Sequence, residues 1–205
     1  MLLSRQPFFT IITIDRAARL LGPTGYTTAS VKDQPVILTS ASCEKLSPMQ
    51  EWPRARLVAI VADTHGLVRE SVLSAVGNVD LILHAGDVGH ARVLDRLREC
   101  APVVAIRGNV DTEMFALPPT ELVSVHRRLV YLLHSLADLD LNPAVAGFSM
   151  VVSGHSHKPL VRSNDGVLYV NPGSIGPRRF KLPISFALAD FGSQPIDVRL
   201  EEVLE

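Results

Sequence analysis

The chain contains little cysteine. Its two cysteines, Cys43 and Cys100, stand far apart among 205 residues. Two cysteines are too few for a disulfide scaffold, and they lack the close spacing of a structural zinc site. A chain with so few cysteines is typical of a reducing compartment, so we expect a cytoplasmic protein.

Long apolar runs and an excess of one charge are also absent. No apolar run approaches the roughly 18 residues that a membrane-spanning helix needs, so we expect no membrane contact. Lys and Arg together number 20 and Asp and Glu 21, which gives a formal net charge of −1. This balance offers no broad basic face, and we expect no nucleic-acid surface.

The first 54 residues differ from the rest of the chain. Residues 8–14 form an apolar run that is short for a signal peptide, and residues 22–54 are rich in Gly, Pro, Ser and Thr without periodicity. Such a composition is typical of a loop or linker. The sequence therefore predicts a poorly ordered N-terminal extension, residues 1–54, followed by a single domain, residues 55–205.

From residue 56, apolar runs of strand length alternate with helical periodicity. The strand-like runs are RLVAIVAD, VDLILHAGD and APVVAIRGN. Between them, residues 67–77 and 90–100 carry apolar side chains at helical spacing. Strands that are apolar along their whole length indicate a sheet that is covered on both faces and at least partly parallel.

The pattern changes after Pro118 and Pro119. Residues 120–134 predict two strands with a turn near Arg127 and Arg128, and MVVSGHSH, VLYVNPGS, ISFALADF and IDVRLEEVL predict four more. We expect antiparallel pairing here because the connections are too short for crossover helices. The whole pattern predicts an α/β fold with two packed sheets and helices outside them.

Polar side chains follow the ends of five predicted strands. They are carboxylates, imidazoles and one amide, in chain order Asp63, His65, Asp87, Asn109, Asp111, His134, His155 and His157. In open α/β sheets, ligands bind beyond the carboxyl ends of the strands, so we expect these side chains to share one crevice. Taken singly, each has a structural explanation, such as a turn or an N-cap for Asp63 and packing for His134.

Their joint order favours a pair of metal ions. Residues two apart share one side of an extended chain, so Asp63 and His65 form one pair, and His155 and His157 form another. Oxygen and imidazole donors without thiolate suit Mn²⁺, Fe, Ni²⁺, Co²⁺ or Zn²⁺ better than Ca²⁺. A carboxylate such as Asp87 has two oxygens, and it can therefore bridge two cations.

The motifs DTHG, GDV, GNVD, GHSH and NPGS resemble those of the calcineurin-like metallophosphoesterase superfamily, and within it the small YfcE-type phosphodiesterases of bacteria and archaea. The resemblance covers residues 56 to about 200. It implies the metallophosphoesterase fold, a four-layer α-β-β-α sandwich with two mixed β-sheets. It also implies a cofactor of two divalent metal ions, manganese first, with nickel, iron, cobalt or zinc as alternatives.

The resemblance implies a role for each motif residue. The first metal would be held by Asp63, His65 and His157, and the second by Asn109, His134 and His155. Asp87 would bridge both metals, and the residues that act in catalysis would be Asp87, Asn109 and His134. NPGS, residues 171–174, would be a turn that supports the site.

The implied activity is hydrolysis of the P–O ester bond of a phosphodiester by a hydroxide that bridges the two metals. Many family members carry His after the asparagine of GN, where it assists the leaving group. Val110 stands there in this chain, which favours diesters or good leaving groups over alkyl monoesters. Arg178 and Arg179 are candidate substrate-binding residues because a guanidinium fits phosphate oxygens, and a solvated or ion-paired loop is the alternative.

The main alternative function is a protein-binding scaffold of the same fold that has lost catalysis, as in the small subunit of retromer. Degraded ligand positions would indicate a scaffold, whereas all seven positions here carry residues that can bind a metal. The sequence therefore favours the enzyme, whose partner is a phosphoester substrate. Relatives form dimers or tetramers, so a homo-oligomer is compatible with the resemblance.

Overall fold

The structure of the protein is a computed structural model, and it describes residues 49–111, 116–179 and 181–203. Most of the predicted N-terminal extension, residues 1–54, therefore lies outside the described residues.

The described part of the chain forms eleven strands and two α-helices. In chain order they are β1 (Gln50–Trp52), β2 (Leu57–Val61), α1 (Glu70–Ala75), β3 (Leu81–His84), α2 (Ala91–Arg98), β4 (Val103–Ala105), β5 (Thr120–Val125), β6 (Arg128–Leu133), β7 (Met150–Val152), β8 (Leu160–Asn164), β9 (Val167–Asn171), β10 (Ser185–Asp190) and β11 (Asp197–Glu202). A short 3₁₀ helix, Leu136–Asp138, follows β6.

The strands form two mixed β-sheets. The six-stranded sheet has the order β1-β5-β6-β7-β9-β8, and the five-stranded sheet has the order β11-β10-β2-β3-β4. In the five-stranded sheet, β2, β3 and β4 are parallel, as their continuous apolar runs predict, and β10 and β11 are antiparallel additions at one edge. The predicted α/β fold with two mixed β-sheets is confirmed.

The prediction of antiparallel pairing in the second half of the chain is wrong for two pairs. Strands β5–β6, β8–β9 and β10–β11 are antiparallel hairpins, but β6–β7 and β7–β9 are parallel. Residues 134–149 give the β6–β7 connection the length that a parallel crossover needs. Strand β8, which the sequence did not predict, returns the chain so that β9 runs beside β7 in the same direction.

Strand β2 contributes to the core on both of its faces. Val58 and Ile60 pack between the two sheets, where strands of the six-stranded sheet contribute Val130, Leu132, Met150 and Val152. Ala59 and Val61 point the opposite way and pack against apolar residues of α1 and α2. This alternation follows from the two-residue period of a strand, and it places the helices outside the five-stranded sheet.

The outer face of the six-stranded sheet is covered differently. Its apolar side chains Leu133, Val151 and Val167 pack with Leu136 and Phe148 of the β6–β7 connection. Within the described part of this face, the 3₁₀ helix is the one helix, and turns at residues 142–148 cover the rest. The fourth layer of the sandwich is therefore thin.

Strand β1 precedes the domain boundary that the sequence predicts at residue 55. It pairs in parallel with β5, from Gln50 beside Val123 to Trp52 beside Val125. Trp52 also packs against the core between the sheets. The packed domain therefore reaches back at least to Gln50. The sequence does not predict β1, because a strand of three residues has too few positions to show an alternating pattern.

Two shortened chains test this boundary. A chain that begins at Met49 keeps β1, and we expect its free energy of unfolding to equal that of the full chain. A chain that begins at Ala55 loses Trp52 and leaves the edge of β5 unpaired. We expect it to lose about 2 kcal/mol, the value of one large apolar side chain. Urea unfolding followed by circular dichroism measures both, and equal midpoints for the two shortened chains would contradict a structural role for β1.

Candidate metal centre

The seven predicted ligands come together at the carboxyl ends of strands from both sheets. Asp63 and His65 follow β2, Asp87 follows β3 and Asn109 follows β4. His134 follows β6, and His155 and His157 follow β7. Each strand is fixed by its apolar residues in the core, so the polar residues directly after it emerge at a defined place on the rim.

Three of these side chains form a first group. Asp63, His65 and His157 can each offer one atom within 4.8 Å of the others. The Nε2 atom of His157 lies 3.4 Å from Asp63 Oδ1 and 3.3 Å from His65 Nε2. One carboxylate oxygen and two imidazole nitrogens therefore face a common point, as ligands of a cation do.

Asn109, His134 and His155 form a second group. The side-chain oxygen of Asn109 lies 3.1 Å from His134 Nε2 and 3.0 Å from His155 Nδ1. His134 Nδ1 donates a hydrogen bond to the carbonyl oxygen of Ala85 at 2.7 Å. When the ring is neutral and Nδ1 carries the proton, Nε2 has a lone pair. This lone pair faces the side-chain oxygens of Asn109 and Asp87, and such a contact is favourable only with a proton or a metal ion between the atoms.

Asp87 lies between the two groups. Its Oδ1 is 3.3 Å from His134 Nε2 and accepts a hydrogen bond from the backbone N–H of Val110 at 3.0 Å. Its Oδ2 is 3.8 Å from Nε2 of His65 in the first group. The two oxygens of one carboxylate thus face histidines of different groups.

Burial governs the protonation of this site. It raises the pKa of Asp63, which is fully buried, to about 7, and the nearby charge of Asp87 adds to the rise. Burial and then the positive charge of Arg179 lower the pKa of His157 to about 4. Burial also acts to raise the pKa of Asp87, but hydrogen bonds from His134 and Val110 outweigh it, and the pKa is lowered.

The donor set fits divalent metal ions. Among the described residues, the buried Oδ2 atom of Asp63 has no hydrogen-bond partner. A buried acceptor without a partner is unfavourable unless something else compensates it. Two close carboxylates, several imidazoles and the absence of thiolate among the described donors match the ligand chemistry of Mn²⁺, Fe²⁺ or Zn²⁺.

The backbone is strained at most of the candidate ligands. Five of them have positive φ angles, which are 55° at Asp63, 46° at His65, 55° at Asp87, 65° at His155 and 57° at His157. Left-handed backbone costs a residue with a Cβ about 1–3 kcal/mol and is concentrated at functional sites. The side chains of these five residues all lie at the candidate metal centre.

Two glycines allow the ligands to approach the backbone. A Cβ on Gly108 would collide with the carboxylate of Asp87. A Cβ on Gly154 would lie 2.9 Å from Asp63 Oδ2 and 2.9 Å from the Cβ of Ala62. The glycines of GNVD and GHSH are therefore required by the space that the two aspartates occupy.

The comparison with known proteins agrees with this geometry. A family profile described as the calcineurin-like phosphoesterase superfamily domain matches residues 57–194, more than half of the chain. The chain belongs to the calcineurin-like phosphoesterase superfamily. The resemblance of the sequence motifs is thereby confirmed, and so is the metallophosphoesterase fold.

Relatives of this chain are known in sequence and in structure. A probable metallophosphoesterase of Methanocaldococcus jannaschii is 33% identical over 129 residues, which cover 58% of this chain and 67% of that protein. Phosphodiesterase YfcE of Escherichia coli is 29% identical over 109 residues, which cover 49% of this chain and 59% of YfcE. The crystal structure of Vps29 from Entamoeba histolytica, complexed with Zn²⁺, is similar with a TM-score of 0.57 at 19% identity, over 72% of this chain and 99% of Vps29. At that identity the likeness to Vps29 shows the fold alone.

In the described part of the chain, no helix has the length and apolar character to cross a membrane. The cytoplasmic location and the homo-oligomer stay predictions from the sequence.

Asp111 holds together the two loops that carry Asp87 and Asn109. Its buried carboxylate accepts hydrogen bonds from the backbone N–H groups of Val88 at 3.0 Å, Gly89 at 2.7 Å and Gly108 at 2.8 Å. Val88 follows Asp87, and Gly108 precedes Asn109. Asp111 therefore fixes the loop of Asp87 relative to the loop of Asn109, a role that the sequence did not distinguish from that of a turn residue.

His84 and Thr64 support the first group from behind. His84 is fully buried, and its Nδ1 accepts a hydrogen bond from the backbone N–H of Gly86 at 3.2 Å. Its Nε2 therefore carries the proton and donates to Thr64 Oγ1 at 3.0 Å, and this hydroxyl donates to the carbonyl of Val88 at 3.0 Å. This chain of hydrogen bonds fixes Thr64, the residue between Asp63 and His65.

The NPGS turn lies behind the site, as the resemblance implied. The side-chain amide of Asn171 donates to the carbonyl of Gly154 at 2.7 Å, and the Ser174 hydroxyl donates to the carbonyl of Asp63 at 2.9 Å. The turn thus holds both the GHSH loop and the DTHG loop.

The structure brings Arg179 to the site but not Arg178. The Arg179 Nη2 atom lies 3.4 Å from Nε2 of His65. Arg178 is exposed, and no hydrogen bond or ion pair joins it to another described residue. Arg69 donates to the carbonyls of Ile175 at 2.7 Å and Gly176 at 2.6 Å and so anchors this loop, a role that the sequence did not predict.

The support from Asp111 is testable with Asp111→Asn. The amide keeps one acceptor oxygen but places N–H groups against backbone N–H donors. We expect metal affinity to fall about 10–100-fold and the free energy of unfolding to fall by about 1–3 kcal/mol. Calorimetric Mn²⁺ titration and urea unfolding measure the two effects. The control is Asp165→Asn at an exposed hairpin turn, and equal behaviour of the two variants would contradict the role of Asp111.

His84 predicts a pH dependence of stability in the metal-free protein. Burial lowers its pKa from 6.5 to about 4. As pH falls through 6.5, His84 becomes protonated in the unfolded chain but stays neutral in the folded chain. The free energy of unfolding therefore decreases until about pH 4, where the folded chain is protonated too. Gln stays uncharged over this range, so His84→Gln removes this loss.

Urea unfolding of both proteins between pH 7 and pH 4.5 isolates the effect, because every other group titrates in both. We expect the stability of the wild type relative to His84→Gln to decrease steadily towards acid. A difference that is constant over this pH range would show that His84 is not held neutral.

Proposed function

We propose that the chain is a dinuclear metal-dependent phosphodiesterase. The observation that carries the proposal is the position of Asp87, with Oδ1 3.3 Å from His134 Nε2 and Oδ2 3.8 Å from His65 Nε2. A carboxylate shared in this way by two groups of donors is what a pair of cations requires.

The family and its members support the chemistry. The matching family is described as the calcineurin-like phosphoesterase superfamily, and the similar protein YfcE is named a phosphodiesterase. The matched residues cover 59% of YfcE, and the phosphodiesterase activity of this chain is therefore part of the proposal.

Seven side chains would hold the two metals. Asp63, His65 and His157 would bind the first, Asn109, His134 and His155 would bind the second, and Asp87 would bind both. When bound, divalent ions lower the pKa of a coordinated water and offset negative charge on the phosphoryl oxygens. The donor set can bind Mn²⁺, Ni²⁺, Fe, Co²⁺ or Zn²⁺, and we place Mn²⁺ first because the family resemblance implies it.

The proposed reaction is hydrolysis of one P–O ester bond. The oxygen of a water molecule forms a bond to phosphorus while the bond from phosphorus to the ester oxygen breaks. One proton of the water ends on the departing alcohol, and the other stays on the phosphomonoester until it dissociates. The products are an alcohol and a phosphomonoester.

Residues of the rim would orient the substrate. Arg179, 3.4 Å from His65, is placed to donate hydrogen bonds to a non-bridging phosphoryl oxygen. Val110 is 45% exposed and gives the site only its backbone N–H, which is donated to Asp87. No imidazole stands there to protonate a poor leaving group, which favours diesters and good leaving groups.

A substrate panel with matched variants tests the proposal. Metal-stripped protein should hydrolyse bis(p-nitrophenyl) phosphate after Mn²⁺ is restored and should lose this activity in EDTA. Asp87→Ala removes the shared carboxylate, and we expect kcat/KM to fall by at least about 100-fold. Asp165→Asn, far from the site, should keep the wild-type value.

Two results would contradict the proposal. Absence of turnover with every metal would favour the protein-binding scaffold. Equal turnover of an alkyl phosphate monoester and the diester would contradict the preference for diesters.

A further inference from the structure

We propose that a cavity beside the second metal group binds one organic substituent of the substrate, and that Arg107 binds an anionic group on that substituent. This inference rests on the proposed phosphodiesterase function and narrows its substrate class. The substrate would be a phosphodiester that carries a phosphate or a carboxylate on one of its two ester groups.

The cavity is continuous with the metal centre. It has a volume of about 440 Å³, and Asn109, His134 and His155 form the wall that it shares with the second group. Arg107, Ser135 and Asp138 line it further out. Pockets that bind small molecules start at about 300 Å³, so this cavity can hold more than the phosphoryl group itself.

Among the described residues, the positive charge of Arg107 has no carboxylate partner. Arg107 is half-buried, and its backbone N–H is fixed by a hydrogen bond to the carbonyl of Pro118 at 2.9 Å. No carboxylate within the described ranges forms an ion pair with its guanidinium. Asp138 lines the same cavity and is exposed, yet the two do not pair. A guanidinium presents five N–H donors in a planar fork, and this fork fits the oxygens of a phosphate or a carboxylate.

The two arginines of the rim occupy different sides of the centre. Arg179 approaches His65 of the first group, whereas Arg107 lies in the cavity beside His134 and His155 of the second. A phosphoryl group bound at the metals would lie between them. In this proposal Arg107 binds an anionic group on a substituent of the diester, whereas Arg179 faces the scissile phosphate.

Three substrates test this assignment. The reference is methyl p-nitrophenyl phosphate. In the first analogue the carboxylate is on the nitrophenyl ring, which is the leaving group. In the second analogue it is on the alkyl group, which remains bound to phosphorus after hydrolysis. We expect wild-type kcat/KM to favour one of the two carboxylates over the reference. In Arg107→Gln this preference should fall about tenfold or more, because a charge-assisted hydrogen bond is lost.

Two further variants separate charge from structure. Arg107→Lys keeps the positive charge and should retain part of the preference, while Arg199→Gln, on the exposed strand β11, should retain all of it. Thermal unfolding of each variant shows whether it is folded. If the reference diester is hydrolysed but the preference is absent, or does not change in Arg107→Gln, this inference is wrong and the phosphodiesterase function stands. If none of the three substrates is hydrolysed with any metal, both are wrong.

Discussion

Two carboxylates that share one buried space set the main constraint on this molecule. Asp63 is fully buried, and Asp87 is nearly so. Both carboxylates face the same imidazole, because His134 Nε2 lies 4.0 Å from Asp63 Oδ1 and 3.3 Å from Asp87 Oδ1. Burial raises the pKa of Asp63 to about 7, and the charge of Asp87 contributes to the rise. Cations can remove this penalty and keep both groups ionised, since each metal ion would supply positive charge where water is excluded.

Bringing these groups together requires strained backbone conformations in the surrounding loops. Five candidate ligands adopt left-handed backbone, and Gly108 and Gly154 leave the space that the aspartate side chains fill. The loops are fixed from behind by the carboxylate of Asp111 and by the NPGS turn. The strained loops are therefore held by hydrogen bonds to rigid neighbours, and the donors are preorganised before any metal binds.

The sequence predicted the parts that repeat or recur. Continuous apolar runs located β2, β3 and β4, and the motif series located every candidate ligand that the structure brings together. It missed β1 and β8, since both are short edge strands whose largely exposed residues show no apolar alternation. It also missed the cavity at Arg107 and the hydrogen bonds of Asp111, because these depend on loops that meet only after the sheets have formed.

Anomalous X-ray diffraction from crystals soaked in Mn²⁺ tests the central claim most directly. The account predicts two peaks per chain, about 3.5–4 Å apart, with the carboxylate of Asp87 bound to both. One peak should lie among Asp63, His65 and His157, and the other among Asn109, His134 and His155. A single peak, or peaks that Asp87 does not contact, would contradict the dinuclear centre.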